Sequence, residues 1–236
     1  MNSPLLMLLF AALSAPAWAQ SSCNSDGQSR PLALVERFIS ADCAECWGQA
    51  AASVPVKPDA RTLVLDWIVP SPAGDEAPLS PAATPDAALR LQTLGLTMPV
   101  GTVVAQHLLR PEPGLKLRVA QGLSVADYIG ARIEMRARPI AKGEAAPTVW
   151  LALVESITAN QEGTPVARNI VRNLFQPSWD FNRPLSKSER FNYAELRPMR
   201  FAEGARPERL RLIAWVQDAQ GKVLGAAQSV CLDAAR

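Results

Sequence analysis

The stretch Pro31-Leu32-Ala33-Leu34-Val35-Glu36-Arg37-Phe38-Ile39-Ser40-Ala41-Asp42-Cys43-Ala44-Glu45-Cys46 decides how the chain is read. Its first ten residues form a mostly apolar strand, and Ala41-Asp42 turns out of it. Cys43 to about Ser53 is rich in helix formers, among them Ala44, Glu45, Gln49, Ala50, Ala51 and Ala52. Val54-Pro55-Val56-Lys57-Pro58 ends that helix, because proline cannot continue it. Thr62-Leu63-Val64-Leu65-Asp66-Trp67-Ile68-Val69 is then a short, nearly continuous apolar run of the kind found in buried parallel strands. Strand, C-x-x-C helix and strand make a βαβ unit, with Cys43 at the helix N-terminus.

Outward from this unit, residues 70–85 are rich in Pro, Ala and Ser and read as a loop. Thr84-Pro85-Asp86 opens a helix that runs to Leu94 and stops at Gly95. Strands follow over Val100–Leu109 and Leu115–Gln121, and Ser124 N-caps a short helix through Ile129. From Arg132 onward the texture is strand and turn. Leu210–Gln217 and Lys222–Val230 flank Asp218-Ala219-Gln220-Gly221, a hairpin turn. The fold class expected is therefore α/β, with residues 20–131 forming the C-x-x-C unit and a β-rich extension, 132–236, packed on it.

The N-terminus sets the compartment. Residues 1–19 carry no charged side chain, and Leu5-Leu6-Met7-Leu8-Leu9-Phe10 leads to Ala17-Trp18-Ala19, an A-x-A-like cleavage site. This is the pattern of a secretory signal peptide, and its apolar run is too short to span a bilayer. The expected location is periplasmic or secreted, with no stable membrane span after cleavage. A net charge of +2, with both signs interspersed, gives no basic patch for nucleic acid.

Four cysteines, at 23, 43, 46 and 231, allow three pairings. An exported chain permits disulfides, and chain termini often lie close together. Cys23–Cys231 is therefore the expected structural bridge and Cys43–Cys46 the reactive pair. The alternative is that both bridges are staples.

Val35-Glu36-Arg37-Phe38-Ile39-Ser40 running into Cys43-Ala44-Glu45-Cys46 resembles the start of a family of secreted thioredoxin-like proteins, catalogued as a domain of unknown function. Members have a V-E-L-F-T-S strand followed by a C-S-S-C pair. Val149-Trp150-Leu151-Ala152, Arg168-Asn169-Ile170-Val171-Arg172-Asn173-Leu174, and Trp215-Val216-Gln217 with Leu224-Gly225-Ala226-Ala227 resemble later segments of that family. The resemblance thus covers most of the chain beyond residue 19. It departs at Trp47-Gly48, where the family has Pro-Pro, and at Leu65-Asp66-Trp67, which keeps only part of a His-Val-Asp-Tyr-Trp run. The resemblance implies a thioredoxin-like fold with an added β-rich part, and no established reaction. It also implies a cis-proline opposite the cysteines, for which Pro99 is the candidate. Met98 would then face the sulfurs, and Trp47 would cover the pair or pack in the core.

In thiol–disulfide exchange the thiolate attacks, and a helix N-terminus stabilises it. Cys43 is the expected nucleophile and Cys46 the resolving thiol. Asp42 and Glu45 oppose thiolate formation with negative charge, which makes the disulfide less oxidising. Expected partners are protein or small-molecule thiols and a redox partner protein, and no cofactor is implied. Two other readings compete: a non-enzymatic exported binding or scaffold module, and copper delivery through Cys43, Cys46 and His107, the one histidine. There is no G-x-S-x-G and no Gly-rich phosphate loop, and one histidine excludes most His-paired hydrolases.

Overall fold

The structure, a computed structural model, describes residues 23–49, 61–110, 112–141, 143–181 and 193–231. The expected signal peptide, 1–19, lies outside the described residues, as does the expected helix end at 54–58. The described chain is built mainly from strands: β1 (Cys23–Asn24), β2 (Ala33–Ser40), β3 (Thr62–Val69), β4 (Thr102–Leu108), β5 (Lys116–Val125), β6 (Tyr128–Arg136), β7 (Thr148–Ile157), β8 (Arg168–Phe175), β9 (Tyr193–Arg200), β10 (Leu210–Gln217) and β11 (Val223–Gln228). Two α-helices accompany them, α1 (Ala44–Gly48) and α2 (Pro85–Thr93). The strands form a seven-stranded sheet, β11-β10-β7-β8-β3-β2-β4, and a four-stranded sheet, β1-β5-β6-β9.

This corrects the α/β, thioredoxin-like expectation: the fold is mostly β, in two sheets. Among the described residues the strand pairs β2/β3 and β3/β8, the latter through a single bridge, are parallel, and the other strand pairs are antiparallel. The βαβ signal at residues 31–69 is real but local. Its two strands are absorbed into a sheet whose other members arrive through hairpins and longer returns. β2, β3 and β4 share the larger sheet with β7, β8, β10 and β11, while β1 and β5 share the smaller one with β6 and β9. The expected boundary at 131/132 falls inside β6.

The helices differ most from expectation. α1 stops at Gly48, and Gln49 is already extended (φ −96°, ψ 139°). The helix expected around Ser124–Ile129 is instead a hairpin: β5 and β6 pair up to Val125↔Tyr128, and Ala126 takes φ 54° at the turn. Val125, Tyr128 and Ile129 are β-formers, and they outweigh a serine that suits an N-cap. α2 follows the sequence. Thr84 Oγ1 accepts the Ala87 N–H at 3.3 Å, Pro85 occupies the first turn, and Gly95 takes φ 65° just past the end. Its buried face (Ala87, Arg90, Leu91) packs on Leu34, Phe38, Leu65, Trp67, Trp150 and Trp215 of the large sheet.

The opposite face of β7 and β10 packs against the small sheet. Leu151, Leu153, Leu212 and Ala214 meet Val119, Ala131, Ile133 and Met199 there. Cys23 and Cys231 are disulfide-bonded, and Asn24 exchanges backbone hydrogen bonds with Val230, so the two ends of the described chain are joined.

Candidate functional site

β2 is buried along its whole length, yet it carries Glu36 and Arg37 at its centre. Successive strand residues face opposite sides of a sheet, so the two charges are buried on different faces. Glu36 meets Arg90 of α2 (2.8 and 2.6 Å) and His107 of β4 (3.1 Å). Arg90 also donates to Gln217 Oε1 at 2.7 Å, and its guanidinium lies 5.4 and 5.2 Å from the Trp150 and Trp215 rings. Burial pushes the Glu36 carboxyl up, but the hydrogen bonds and charges of Arg90 and His107 outweigh it, leaving the pKa lowered. On the other face, Arg37 makes a bidentate pair with Asp66, its register partner in parallel β3 (2.6 and 2.7 Å).

That second network reaches the cysteines. Arg168, at the start of β8, lies 3.5 Å from Asp66 and is itself buried. Its Nη2 donates to the carbonyl oxygens of Cys46 (2.9 Å), Trp47 (2.8 Å) and Gln49 (2.7 Å). These carbonyls lie at the end of α1, where helix carbonyls need partners from outside the helix, and one guanidinium collects all three. The same group stacks 5.4 Å from the Trp47 ring. Burial lowers the Arg168 pKa, while the charge of Asp66 raises it. Arg168 thus ends α1 after little more than one turn.

Cys43 and Cys46 form a disulfide, and both residues are half-buried. The turn before them is held by backbone bonds: Ala41 N–H to Val69 O (2.9 Å) and Cys43 N–H to Ser40 O (3.0 Å). Asp42 is exposed and accepts from Ser71 Oγ at 2.8 Å. Cys46 and Trp47 pack against a small apolar cluster of Ile39, Ala41, Ile68 and Ala77. The neighbour facing the sulfur is Gly101: a Cβ built there would lie 3.4 Å from Cys46 Sγ, and Gly101 O accepts from Ser40 N–H at 2.9 Å.

The other expected site residues fall around this centre. The peptide before Pro99 is trans, so the expected cis-proline is corrected; Pro99 is buried. Met98 is 55% exposed and Val100 is 96% exposed. Trp47 donates Nε1–H to Glu162 O at 2.8 Å and borders a cleft of about 250 Å³ lined by Ile68, Leu79, Glu162 and Ile170. His107 is not brought to the cysteines. It pairs with Leu34, six residues before Ser40, which places it about 20 Å along the strand from the turn that carries Cys43. Among the described residues no cluster of His, Cys, Asp and Glu is arranged to hold a metal ion, and no helix is long and apolar enough to cross a membrane.

Sequence reasoning missed Arg168 and Gly101. A glycine at a strand entry signals close approach of something to the backbone, so Gly101 was legible. Nothing in the sequence marks Arg168 apart from the other arginines.

No family model matches the chain, and no curated protein matches it. Among solved structures, the chain is similar to the crystal structure of a protein from Agrobacterium tumefaciens, with 12% identity over 89% of this chain and 97% of that one and a TM-score of 0.43. A second is an endonuclease/exonuclease/phosphatase from Beutenbergia cavernae, with 13% identity over 55% of this chain and 30% of that one and a TM-score of 0.28. Both superpositions are too loose to carry a fold or a function across.

Proposed function

We propose that this is an exported protein that exchanges thiols and disulfides through Cys43 and Cys46. The observation that carries the reading is the contrast between its two disulfides. Cys23–Cys231 spans 208 residues and Cys43–Cys46 spans three. In the chain-entropy model the first stabilises the fold by about 5 kcal/mol and the second by only about 2 kcal/mol. The short bridge is also half-exposed, with Gly101 beside Cys46 Sγ. A half-exposed bridge of small structural value supports the exchange reading.

In the reaction a partner thiolate attacks Cys43 Sγ. The Cys43–Cys46 bond breaks, a mixed disulfide forms, and Cys46 leaves as a thiolate. A second partner thiolate then attacks the partner sulfur, forming the partner's disulfide and releasing Cys43. Two electrons pass to the protein, and its two thiols end with the partner's two protons. The reverse sequence oxidises the protein. Partners are protein or small-molecule thiols. α1 has one turn, so its dipole contributes little to the Cys43 thiolate.

A second reading, an exported binding module with two structural bridges, is favoured by the Arg168 clamp, which would serve a rigid scaffold equally well. Titration of the purified protein against glutathione buffers separates the two. Exchange predicts reversible reduction of Cys43–Cys46 within the range of known redox proteins, while Cys23–Cys231 stays oxidised. If the short bridge resists every buffer that leaves the protein folded, the exchange reading fails.

A further inference from the structure

Where the two sheets meet, a cleft of about 230 Å³ opens at the end of the large sheet remote from Cys43. Its walls are the chain between β1 and β2, the chain leading from β4 into β5, and the middle of β11. Arg30 lies just ahead of β2 and Arg110 just past β4, whereas Cys43 follows the other end of β2. The eight residues of that strand span about 26 Å.

Six charged side chains line the cleft: Asp26, Arg30, Arg110, Glu112, Lys116 and Arg118. Arg118 is occupied, because it donates to Asp26 (2.9 Å) and to Glu134 (2.7 Å). Arg30, Arg110 and Lys116 are exposed, and among the described residues their side chains make no hydrogen bond or ion pair. Glu112 is the remaining carboxylate of the lining, and its charge also favours that of Arg138. Three unmatched cations against one carboxylate leave an excess of two positive charges. Ser25 adds a hydroxyl. Its Oγ accepts the Val119 N–H at 3.1 Å, and among the described residues its own proton has no acceptor. Beside these polar groups the half-buried Leu115, Leu117 and Leu224 give the lining an apolar side.

We propose that this cleft binds a small organic anion that carries two negative charges on an apolar body. Two charges match the excess on the walls, and a concave surface focuses the field of the three cations on one ligand. Arg30 and Arg110 offer forks suited to carboxylate or phosphate oxygens, Lys116 adds a point charge, and Ser25 donates its proton. The three leucines cover the apolar body, which an inorganic ion lacks. The volume falls below the ~300 Å³ at which sites for drug-sized ligands begin, so the ligand is small.

Isothermal titration calorimetry of the oxidised protein at low salt and pH 8 tests this with phthalate, phenyl phosphate and inorganic phosphate. The first two set a ring on two carboxylates or on one phosphate, and the third has no ring. At least one ring-bearing dianion should bind once per chain, about tenfold or more tighter than inorganic phosphate. Arg110→Ala and Lys116→Ala should each weaken that binding about tenfold. Both positions are exposed, so these variants keep the fold. Arg200→Ala, at the opposite edge of the small sheet from β1, should leave binding unchanged. The double variant Cys43→Ala, Cys46→Ala should also bind as the parent does, which separates this site from thiol exchange. If neither ring-bearing dianion saturates the protein, the proposal is overturned. Binding that inorganic phosphate matches, or that Arg110→Ala and Lys116→Ala leave intact, overturns it as well.

Discussion

Arg168 Nη2 lies 2.9 Å from the carbonyl oxygen of Cys46, a residue 122 positions earlier in the chain. The contact joins the end of the C-x-x-C turn to a buried Arg37–Asp66–Arg168 network beneath the sheet. It fixes where Cys46 sits, and it does so from an element that sequence order places far away. Arg168→Met should leave three carbonyls without this donor and take one cation from Asp66, at a cost of about 3 kcal/mol. Urea unfolding reads that loss. The same variant should make Cys43–Cys46 easier to reach by reductant, with Cys23–Cys231 unchanged. Arg168→Lys should restore only part, since one ammonium cannot span the same fan of acceptors.

Arg90 and Glu36 hold α2 to the large sheet from a fully buried position. Arg90→Met should destabilise by about 3–5 kcal/mol, because it leaves a buried carboxylate with His107 alone. Adding Glu36→Gln should recover part of the loss by removing the unpaired charge. The midpoint in urea should move while its slope stays constant.

Glu36 also sets an acid limit. Its folded pKa is lowered from 4.5, so its stabilising contribution is fully present above 4.5 and is lost as pH falls through the folded value. The stability difference between the protein and Glu36→Gln should therefore be constant near neutral pH and shrink in acid below 4.5. Thermal melts across that range measure it. A difference that grew in acid would contradict the assigned sign.

The disulfides should separate in stability. Replacing Cys23 and Cys231 by serine should cost about 5 kcal/mol, and replacing Cys43 and Cys46 about 2 kcal/mol, if chain entropy dominates. Paired denaturation curves of the two double variants check this. Equal losses would remove the contrast on which the exchange reading rests.

The sequence was legible where one local signal decided the matter. Thr62–Val69 was bounded at both ends by its apolar run. Thr84, Pro85 and Gly95 marked α2, and Asp218–Gly221 marked the turn between β10 and β11. It failed where distant residues decide. The apolar strand, C-x-x-C and second apolar strand gave a sound local unit, but a parallel pair does not say what joins the sheet beyond it. β8 and β4 take those places, one on each side. Helix formers after Cys46 suggested a long helix, while Arg168 takes the carbonyls that would have continued it. Glu36 and Arg37 were visible as charges inside an apolar strand, and such charges require buried partners. Their partners Arg90 and Asp66 could be found only through the fold.

Trapping tests the exchange account most directly. A Cys46→Ala variant, exposed to extracytoplasmic proteins under non-reducing conditions, should accumulate mixed disulfides on Cys43, identified by mass spectrometry of the cross-linked peptides. A Cys43→Ala variant should accumulate far fewer. If neither variant forms mixed disulfides, with partner proteins or with glutathione, Cys43–Cys46 is a staple and the proposed function is wrong.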